Sequence, residues 1–257
     1  MKITPSVKKY IDIIVPKVIE LFGKEKVYKV YLYGSLIKGD FKAGESDIDL
    51  LFIVKDKNLL FKLEEVSDLW YELSSKGYIF DIVVLDIKEY LKLRSLGSPY
   101  LESIEKEGVL LYDGGDINIA CATELLSKAT RWLNNAKRSL EDGHYDIASA
   151  KAYNSIELII RASLYLKGFT RRIKTHGGKI QKFSELYVTT NEFPREVASR
   201  LIPCLTIRSR ALYEVIEVTE REAKEVIETA EYMVNWMDKL LKRIGSTGEI
   251  QKNTTEQ

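Results

Sequence analysis

The stretch "YGSLIKGDFKAGESDIDLLFIV", from Tyr33 to Val54, decides the architecture of the first half of the chain. Two of its acids, Asp47 and Asp49, alternate with apolar residues at the start of a strand-like run. Residues two apart in a strand point to the same side, so both carboxylates project together while Ile48 and Leu50 face the core. The two carboxylates repel each other, and a cation between them relieves that repulsion. Oxygen ligands open to phosphate suit Mg²⁺.

A glycine-serine turn precedes these acids. Gly34 and Ser35 end one strand-like run and begin a helical one, where backbone N–H groups and a hydroxyl can approach a phosphate. A third acid, Asp81, interrupts the apolar run "IFDIVVL", where an unpaired charge would be costly. We expect Asp81 to reach the same cluster as Asp47 and Asp49, the alternative being that these acids are solvated strand ends. A phosphate site beside a metal site indicates a nucleotide.

Composition limits the other possibilities. The chain has 257 residues, a net charge of +1 and 30% charged residues, which favours two domains and local anion binding over a general attraction for nucleic acid. Cys121 and Cys204 lie in apolar helical patterns, and no signal peptide or membrane-length apolar run is present. We therefore expect a cytoplasmic protein without a membrane partner.

The first part of the chain alternates helix and strand patterns. Residues 1–114 are predicted to form a domain with a mixed sheet, and Gly114-Gly115 looks like a linker. Strands are predicted at Val27–Tyr33, Asp47–Val54 and Tyr78–Leu85, and helices at Pro5–Gly23 and Leu59–Lys76.

Beyond the linker every pattern is helical. The chain is therefore predicted to be α+β, with an all-α bundle at 115–244 and a polar, disordered tail at 245–257. The helix at Tyr145–Lys167 is apolar almost all round, which is typical of the centre of a bundle. The other helices are predicted at Ile117–Asp142, Gly178–Val188, Pro194–Val215 and Thr219–Ile244.

The first domain resembles a known family. Gly34-Ser35, Gly39, the run Ser46–Leu50 and Asp81 are similar to the motif of minimal nucleotidyltransferases of the DNA polymerase beta superfamily, and the resemblance covers roughly Val27 to Tyr112.

That resemblance implies roles for six residues. Asp47 and Asp49 would bind Mg²⁺ in a two-ion site, and Asp81 would join them and help to activate the acceptor hydroxyl. Gly34, Ser35 and Ser46 would bind the nucleoside triphosphate, with ATP as the expected donor.

The helical part is similar to HEPN domains, bundles often fused to or encoded beside nucleotidyltransferases. The similarity rests on "AYNSIELIIRASLYLKGFTRRIKTHGGKIQKF" (152–183) and "IRSRALYEV" (207–215). Many HEPN domains are ribonucleases with an arginine followed, four to six residues later, by a histidine. If Arg208 is that arginine, Tyr213 takes the histidine's place, so we expect no nuclease activity and a Tyr213 side chain packed in the bundle.

Two further features leave alternatives open. Arg171 and His176 have the nuclease spacing, but we expect them in a glycine-flanked loop and not on the helix that carries the motif. The basic loop 167–182 is either a solvated surface or a contact for phosphate or RNA.

The sequence favours a Mg²⁺-dependent enzyme that moves a nucleoside monophosphate, AMP from ATP, to a hydroxyl. The acceptor would be a small molecule, a tyrosine of a partner protein or a nucleic-acid end. One rival is a non-catalytic nucleotide- or RNA-binding regulatory module, and another is a HEPN-type ribonuclease toxin. Because bundles of this type often pair, we also expect a homodimer.

Overall fold

The computed structural model describes residues 4–42, 44–57, 67–169 and 173–254. The chain forms two compact units, Met1–Ile117 and Asn118–Gln257. The α+β class is confirmed, because a mixed sheet with helices occupies the first unit and a helical bundle the second.

The sheet of the first unit has four strands in the order β3-β2-β1-β4. Strand β1 is antiparallel to both of its neighbours, and β2 is parallel to β3. The inner strands are β2, between β3 and β1, and β1, between β2 and β4. Both are therefore protected from edge exposure. The strands are β1 (Val27–Tyr33), β2 (Ile48–Val54), β3 (Phe80–Asp86) and β4 (Val109–Asp113).

Five α-helices of the described residues accompany this sheet. The first begins where the Thr4 side chain accepts a hydrogen bond from the Val7 N–H (3.4 Å) and ends at Gly23, whose φ is +88°. Part of the predicted helix Leu59–Lys76 lies outside the described residues, and the described part is helical from Ser67. The helices are α1 (Pro5–Phe22), α2 (Ser35–Lys38), α3 (Ser67–Ser75), α4 (Ile87–Leu96) and α5 (Pro99–Glu107).

Strand β2 is buried on both faces except at its start. Ile48, Leu50 and Phe52 belong to the cluster formed with the apolar stripe of α1. Leu51 is also fully buried, on the opposite face, and Asp49 points to that face because strand side chains alternate. The sheet therefore places Asp49 at the open end of an otherwise apolar strand.

The second unit is built around one central helix, as the sequence predicts. Helix α7 contacts α8, α10 and α11, and the Ser155 hydroxyl donates to the Ala129 carbonyl at 2.8 Å. A π-helical turn, Ser184–Val188, follows α8. The helices are α6 (Ile117–Glu141), α7 (Tyr145–Leu166), α8 (His176–Phe183), α9 (Arg195–Ala198), α10 (Leu201–Tyr213) and α11 (Glu220–Thr254).

The end of α11 differs from the sequence prediction. The helix continues to Thr254, ten residues past the predicted end at Ile244, so residues 245–254 are helical and not a disordered tail. The Ser246 hydroxyl donates to the Lys242 carbonyl at 2.8 Å, a local bond within the continuing helix. None of the helices in the described ranges is both long enough and apolar enough to cross a membrane.

Phe52→Ala should destabilise the first unit by about 3–5 kcal/mol, because it leaves a cavity beside the core of the sheet. Phe52 is fully buried, and its ring centroid lies 6.2 Å from that of Phe22 on α1. The measurement is urea unfolding followed by circular dichroism. Tyr71→Ala is the control, since its side chain is 82% exposed and the expected cost is below about 0.5 kcal/mol. An equal loss of unfolding free energy in the two variants would contradict the placement of Phe52 in the core.

Candidate active site

Three neighbouring strands place three polar side chains in a row at one end of the sheet. Asp49 of β2 is the register partner of Asp81 on the parallel strand β3. On its other side Asp49 is the partner of Tyr33, the last residue of β1. Neighbouring strands lie about 4.8 Å apart, so Asp81, Asp49 and Tyr33 form one line across the sheet. Asp47 lies just before β2 and is exposed, as Asp81 is.

The acids act on one another electrostatically. Burial raises the pKa of Asp49, and the negative charges of Asp81 and Asp47 raise this pKa further. A hydrogen bond from the backbone N–H of Ser35 lowers it in part. The negative charges of Asp81 and Asp47 therefore act on Asp49, and a nearby positive charge would oppose the increase in its pKa. That the three acids form one metal site remains a prediction.

Gly34 is required by the close approach of the turn to Asp49. Its φ is +77°, and a Cβ added there would lie 1.8 Å from Asp49 Oδ2. No other residue fits without moving the carboxylate or the turn. The carbonyl of Gly34 accepts from the N–H groups of Ile37 and Lys38, both at 3.2 Å, so the turn leads directly into α2.

Ser46 closes the loop that returns to β2. Its Oγ accepts from the Lys42 N–H at 3.1 Å, and its own N–H donates to the Lys42 carbonyl at 2.9 Å. The Ser46 side chain, which is predicted to bind nucleotide, therefore also stabilises the loop that precedes Asp47. Its contact with a nucleotide remains a prediction.

The oxygen ligands of the cluster fit a hard divalent cation in their chemistry. Within the described ranges, no three His, Cys, Asp or Glu side chains converge closely enough to hold a metal ion by themselves. Mg²⁺ does not need such a cage, because it is usually bound by one or two carboxylates together with water and substrate phosphates. The like charges around Asp49 are the feature that a cation would neutralise.

A tyrosine pair beside the acids was not predicted from the sequence. The hydroxyls of Tyr33 and Tyr100 lie 2.8 Å apart and are hydrogen bonded, and their rings meet edge to face with centroids 5.6 Å apart. Burial raises the pKa of both tyrosines, and the charges of Asp49 and Asp81 add to this increase. Tyr100 is 67 residues from Tyr33, so only the packing of α5 against β1 reveals the pair.

A cleft of about 420 Å³ opens between α2 and α5 next to this pair. Its walls include Tyr33, Gly34 and Ile37 on one side and Tyr100, Ser103 and Glu107 on the other. The cleft therefore begins at the glycine turn and continues along one face of α5.

In the second unit, the structure brings Arg208 and Tyr213 together. The Arg208 guanidinium carbon lies 5.9 Å from the centroid of the Tyr213 ring. Tyr213 is 76% exposed, so the expectation that it packs in the bundle is wrong. It is the last residue of α10, where the helix ends and its side chain leaves the packed interface.

His176 does not lie in a loop as predicted, because it is the first residue of α8. Its Nδ1 lies 2.8 Å from Glu157 Oε2, although the angle is not that of a hydrogen bond, and its ring centroid is 5.7 Å from that of Tyr153. Burial of Tyr153 raises its pKa, an effect that the charge of Glu157 strengthens and the charge of Arg208 opposes. The spacing partner, Arg171, lies outside the described residues.

The basic loop 167–182 is largely neutralised where it is described. Lys167 pairs with Glu192 at 2.6 Å, Lys179 with Glu157 at 2.5 Å and Lys182 with Glu185 at 2.6 Å. Each of these three ion pairs lowers the positive charge offered to a phosphate.

Comparison with known proteins identifies both units. The family model of the polymerase beta nucleotidyltransferases matches residues 16–114, and that of the HEPN domain matches residues 122–240. A Methanocaldococcus jannaschii protein named "Putative toxin" is 33% identical over 121 residues, which are 47% of this chain and 88% of that protein. A nucleotidyltransferase-like protein of Exiguobacterium sibiricum is 10% identical, with 89% of this chain and 74% of that chain covered. Its TM-score of 0.35 is too low to indicate a shared fold.

Asp49→Asn should raise the melting temperature of the protein in EDTA by a few degrees at neutral pH, because it removes one charge from a repelling cluster. The raised pKa of Asp49 makes this repulsion grow as pH rises through that pKa, so the gain should shrink under acidic conditions. Millimolar Mg²⁺ should stabilise the wild type more than the variant. The measurement is a thermal melt with and without Mg²⁺.

Asp12→Asn is the matched control for this experiment, since Asp12 is exposed on α1 and is not among the charges that raise the pKa of Asp49. It should leave both the melting temperature and the response to Mg²⁺ unchanged. If Mg²⁺ raised the melting temperature of the wild type and of Asp49→Asn equally, Asp49 would not belong to the cation site.

Proposed function

The chain belongs to the proteins that join a polymerase beta nucleotidyltransferase domain to a HEPN domain, and from that premise we propose that it transfers AMP from ATP to an acceptor hydroxyl with Mg²⁺. The observation that carries this proposal is the register of the strand ends. It sets Asp49 beside Asp81 and against the side-chain-free turn at Gly34. Two carboxylates on neighbouring strands, one of them against a turn without a side chain, suit a metal-bound triphosphate.

The three acids divide two tasks between them in this mechanism. Asp47 and Asp49 hold the divalent cations, and Asp81 accepts the proton of the acceptor hydroxyl. When bound, the cations lower the pKa of that hydroxyl and neutralise the departing pyrophosphate. Asp81 suits the acceptor side because it is exposed and lies on β3, the outermost strand next to β2.

Gly34 and Ser35 bind the triphosphate. The backbone N–H of Ser35 already donates to Asp49, which leaves its hydroxyl for a phosphate oxygen. Because a side chain at Gly34 would collide with Asp49, the turn presents only its backbone beside the carboxylate, and a backbone without a side chain is one that a phosphate can approach. The turn thus supports both the carboxylate and the phosphate.

The acceptor belongs to one of three chemical classes: a small molecule with a free hydroxyl, a tyrosine of a partner protein, or a nucleic-acid end. An exposed apolar segment after α10 supports a homodimer, since Val215 and Ile216 are 99% and 66% exposed. Cys121 and Cys204 are both buried and form no disulfide, which agrees with a reducing cytoplasm. A nucleotide- or RNA-binding regulatory module without turnover remains the rival within the first unit.

A second candidate function is a ribonuclease toxin. The name of the Methanocaldococcus jannaschii relative favours it, as do the ring contact of Tyr153 with His176 and the electrostatic interaction of Tyr153 with Arg208. Against it, Tyr213 occupies the place of the motif histidine, and tyrosine with a reference pKa of about 10 exchanges protons poorly near neutral pH.

Asp47→Asn and Asp49→Asn should each reduce nucleotide transfer more than about 100-fold while the fold persists, because each removes a negative ligand. Asp81→Asn should lower the rate more than the nucleotide affinity, since its task concerns the acceptor. The assay incubates the protein with each of the four labelled nucleoside triphosphates, Mg²⁺ and a cell extract, and identifies what becomes labelled. Asp12→Asn is the control.

Unchanged transfer in Asp47→Asn or Asp49→Asn would refute the metal assignment. A wild type that binds nucleotides and labels nothing would favour the regulatory module. If Asp81→Asn reduced nucleotide affinity as much as rate, Asp81 would belong to the triphosphate site.

The purified protein should not cleave RNA in the presence of EDTA, because residue 213 is tyrosine and His176 faces the acid Glu157. The measurement is a cleavage assay on single-stranded RNA with the wild type, Arg208→Ala and His176→Ala. Cleavage that disappears in Arg208→Ala would establish the toxin function. If cleavage disappeared only in His176→Ala, the nuclease site would lie at the contact between α7 and α8.

A further inference from the structure

The tyrosine pair places two hydroxyl groups of this chain beside the acid row. Tyr33 is the register partner of Asp49, so the two side chains lie on the same face of the sheet. The Tyr100 hydroxyl lies 2.8 Å from that of Tyr33. The charge of Asp81 acts on Tyr100 more strongly than the charge of Asp49 does. A phenol of the chain itself therefore lies near the acid that we assign to the acceptor.

Helix α5 holds Tyr100 in place. Tyr100 is the second residue of this helix and follows Pro99, whose ring fixes the backbone at the first position. Further along α5, the Glu105 carboxylate accepts a hydrogen bond from the Tyr90 hydroxyl and lies 3.4 Å from the Arg94 guanidinium, and both partners belong to α4. The Tyr100 hydroxyl is thus positioned by packed helices, which is what a reacting group requires.

Tyr100 is also open to the turn that is proposed to bind phosphate. Its side chain is 41% exposed and lines the same cleft as Gly34. A phosphate that approaches the backbone of Gly34 can therefore meet Tyr100 in one continuous open space. Ser103, another hydroxyl in the wall of this cleft, donates its proton to Glu107 Oε2 at 3.3 Å.

The hydrogen bond between the two tyrosines distinguishes them chemically. Burial raises the pKa of both hydroxyls, but their mutual hydrogen bond lowers the pKa of Tyr100 and raises that of Tyr33. The Tyr33 hydroxyl therefore stabilises negative charge on the Tyr100 oxygen. Because negative charge has to develop on an attacking oxygen as its proton leaves, Tyr100 is the better nucleophile of the pair.

We propose that Tyr100 is itself an acceptor, so that the chain transfers AMP to a tyrosine of its own first unit. This inference rests on the proposed function and names a chemical class for its acceptor. The Tyr100 oxygen attacks the α-phosphorus of ATP and forms a new P–O bond. The bond from that phosphorus to the oxygen bridging to the β-phosphate breaks, and pyrophosphate leaves with the electron pair. Asp81 accepts the phenolic proton.

The test incubates the purified full chain with Mg²⁺ and ATP labelled at the α-phosphate, without cell extract. We expect the intact mass of the chain to increase by a single adenylyl group, and peptide fragmentation to locate that group on Tyr100. Phosphodiesterase should restore the original mass, because the new linkage is a phosphodiester.

Tyr100→Phe should reduce this self-labelling at least about tenfold, because the variant keeps the packed ring and loses the attacking oxygen. Tyr33→Phe should slow it while the label remains on Tyr100, since only a hydrogen bond to that oxygen is lost. The matched control is Tyr71→Phe, which removes the hydroxyl of an 82% exposed tyrosine on α3 and should label as fast as the wild type. Thermal melts establish that each variant is folded.

A mixture of two variants tests whether the transfer occurs within one chain. Asp49→Asn keeps Tyr100 but has an incomplete acid row, and Tyr100→Phe has the acids but not the acceptor. The mixture should therefore remain unlabelled. Labelling of the Asp49→Asn chain in this mixture would overturn transfer within one chain.

The outcomes separate this inference from the proposed function. Self-labelling that persists in Tyr100→Phe, or that fragmentation locates on another residue, would overturn the assignment of Tyr100. A wild type that labels a component of the cell extract and never itself would overturn this inference and leave the proposed function in place. Labelling of neither would overturn both.

Discussion

The contact between the Gly34 backbone and the Asp49 carboxylate constrains the rest of the first unit. A Cβ at position 34 would lie 1.8 Å from Asp49 Oδ2, so the turn after β1 can pass over β2 only without a side chain. The Ser35 N–H donates to the same carboxylate and fixes the turn against the strand. Asp49, a predicted metal ligand, therefore fixes the position of the turn that is predicted to bind phosphate. The position of the turn in turn sets where α2 begins and where the cleft opens.

Strand β2 contributes to the core along most of its length and carries the acid Asp49 near its start. Along most of β2 both faces are buried, with α1 covering Ile48, Leu50 and Phe52. Asp49 is half-buried next to two other acids, which raises the pKa of Asp49 and destabilises the fold at neutral pH. The burial of the rest of β2 compensates for this destabilisation. Destabilised charge clusters of this kind are common at functional sites, because a ligand of opposite charge converts repulsion into binding free energy.

The sequence was sufficient for features that depend on local periodicity. β1 has the predicted bounds Val27–Tyr33, and the alternation around Asp49 indicated the acid row because strand side chains repeat every two residues. Features that depend on packing between distant segments could not be read this way. Tyr100 joins Tyr33 through the docking of α5, and His176 meets Glu157 because α8 packs on α7. The exposure of Tyr213 reflects where α10 ends, a boundary that apolar spacing does not mark.

The central claim is that Asp47 and Asp49 bind a divalent cation that also contacts a triphosphate on the Gly34-Ser35 turn. The most direct measurement is a crystal structure with Mn²⁺ and a non-hydrolysable ATP analogue, using anomalous scattering to locate the metal. The account predicts an anomalous peak within coordinating distance of both carboxylates, about 2.0–2.3 Å, with phosphate oxygens completing the coordination and lying over Gly34. A metal bound elsewhere, or a triphosphate that does not contact this turn, would contradict it.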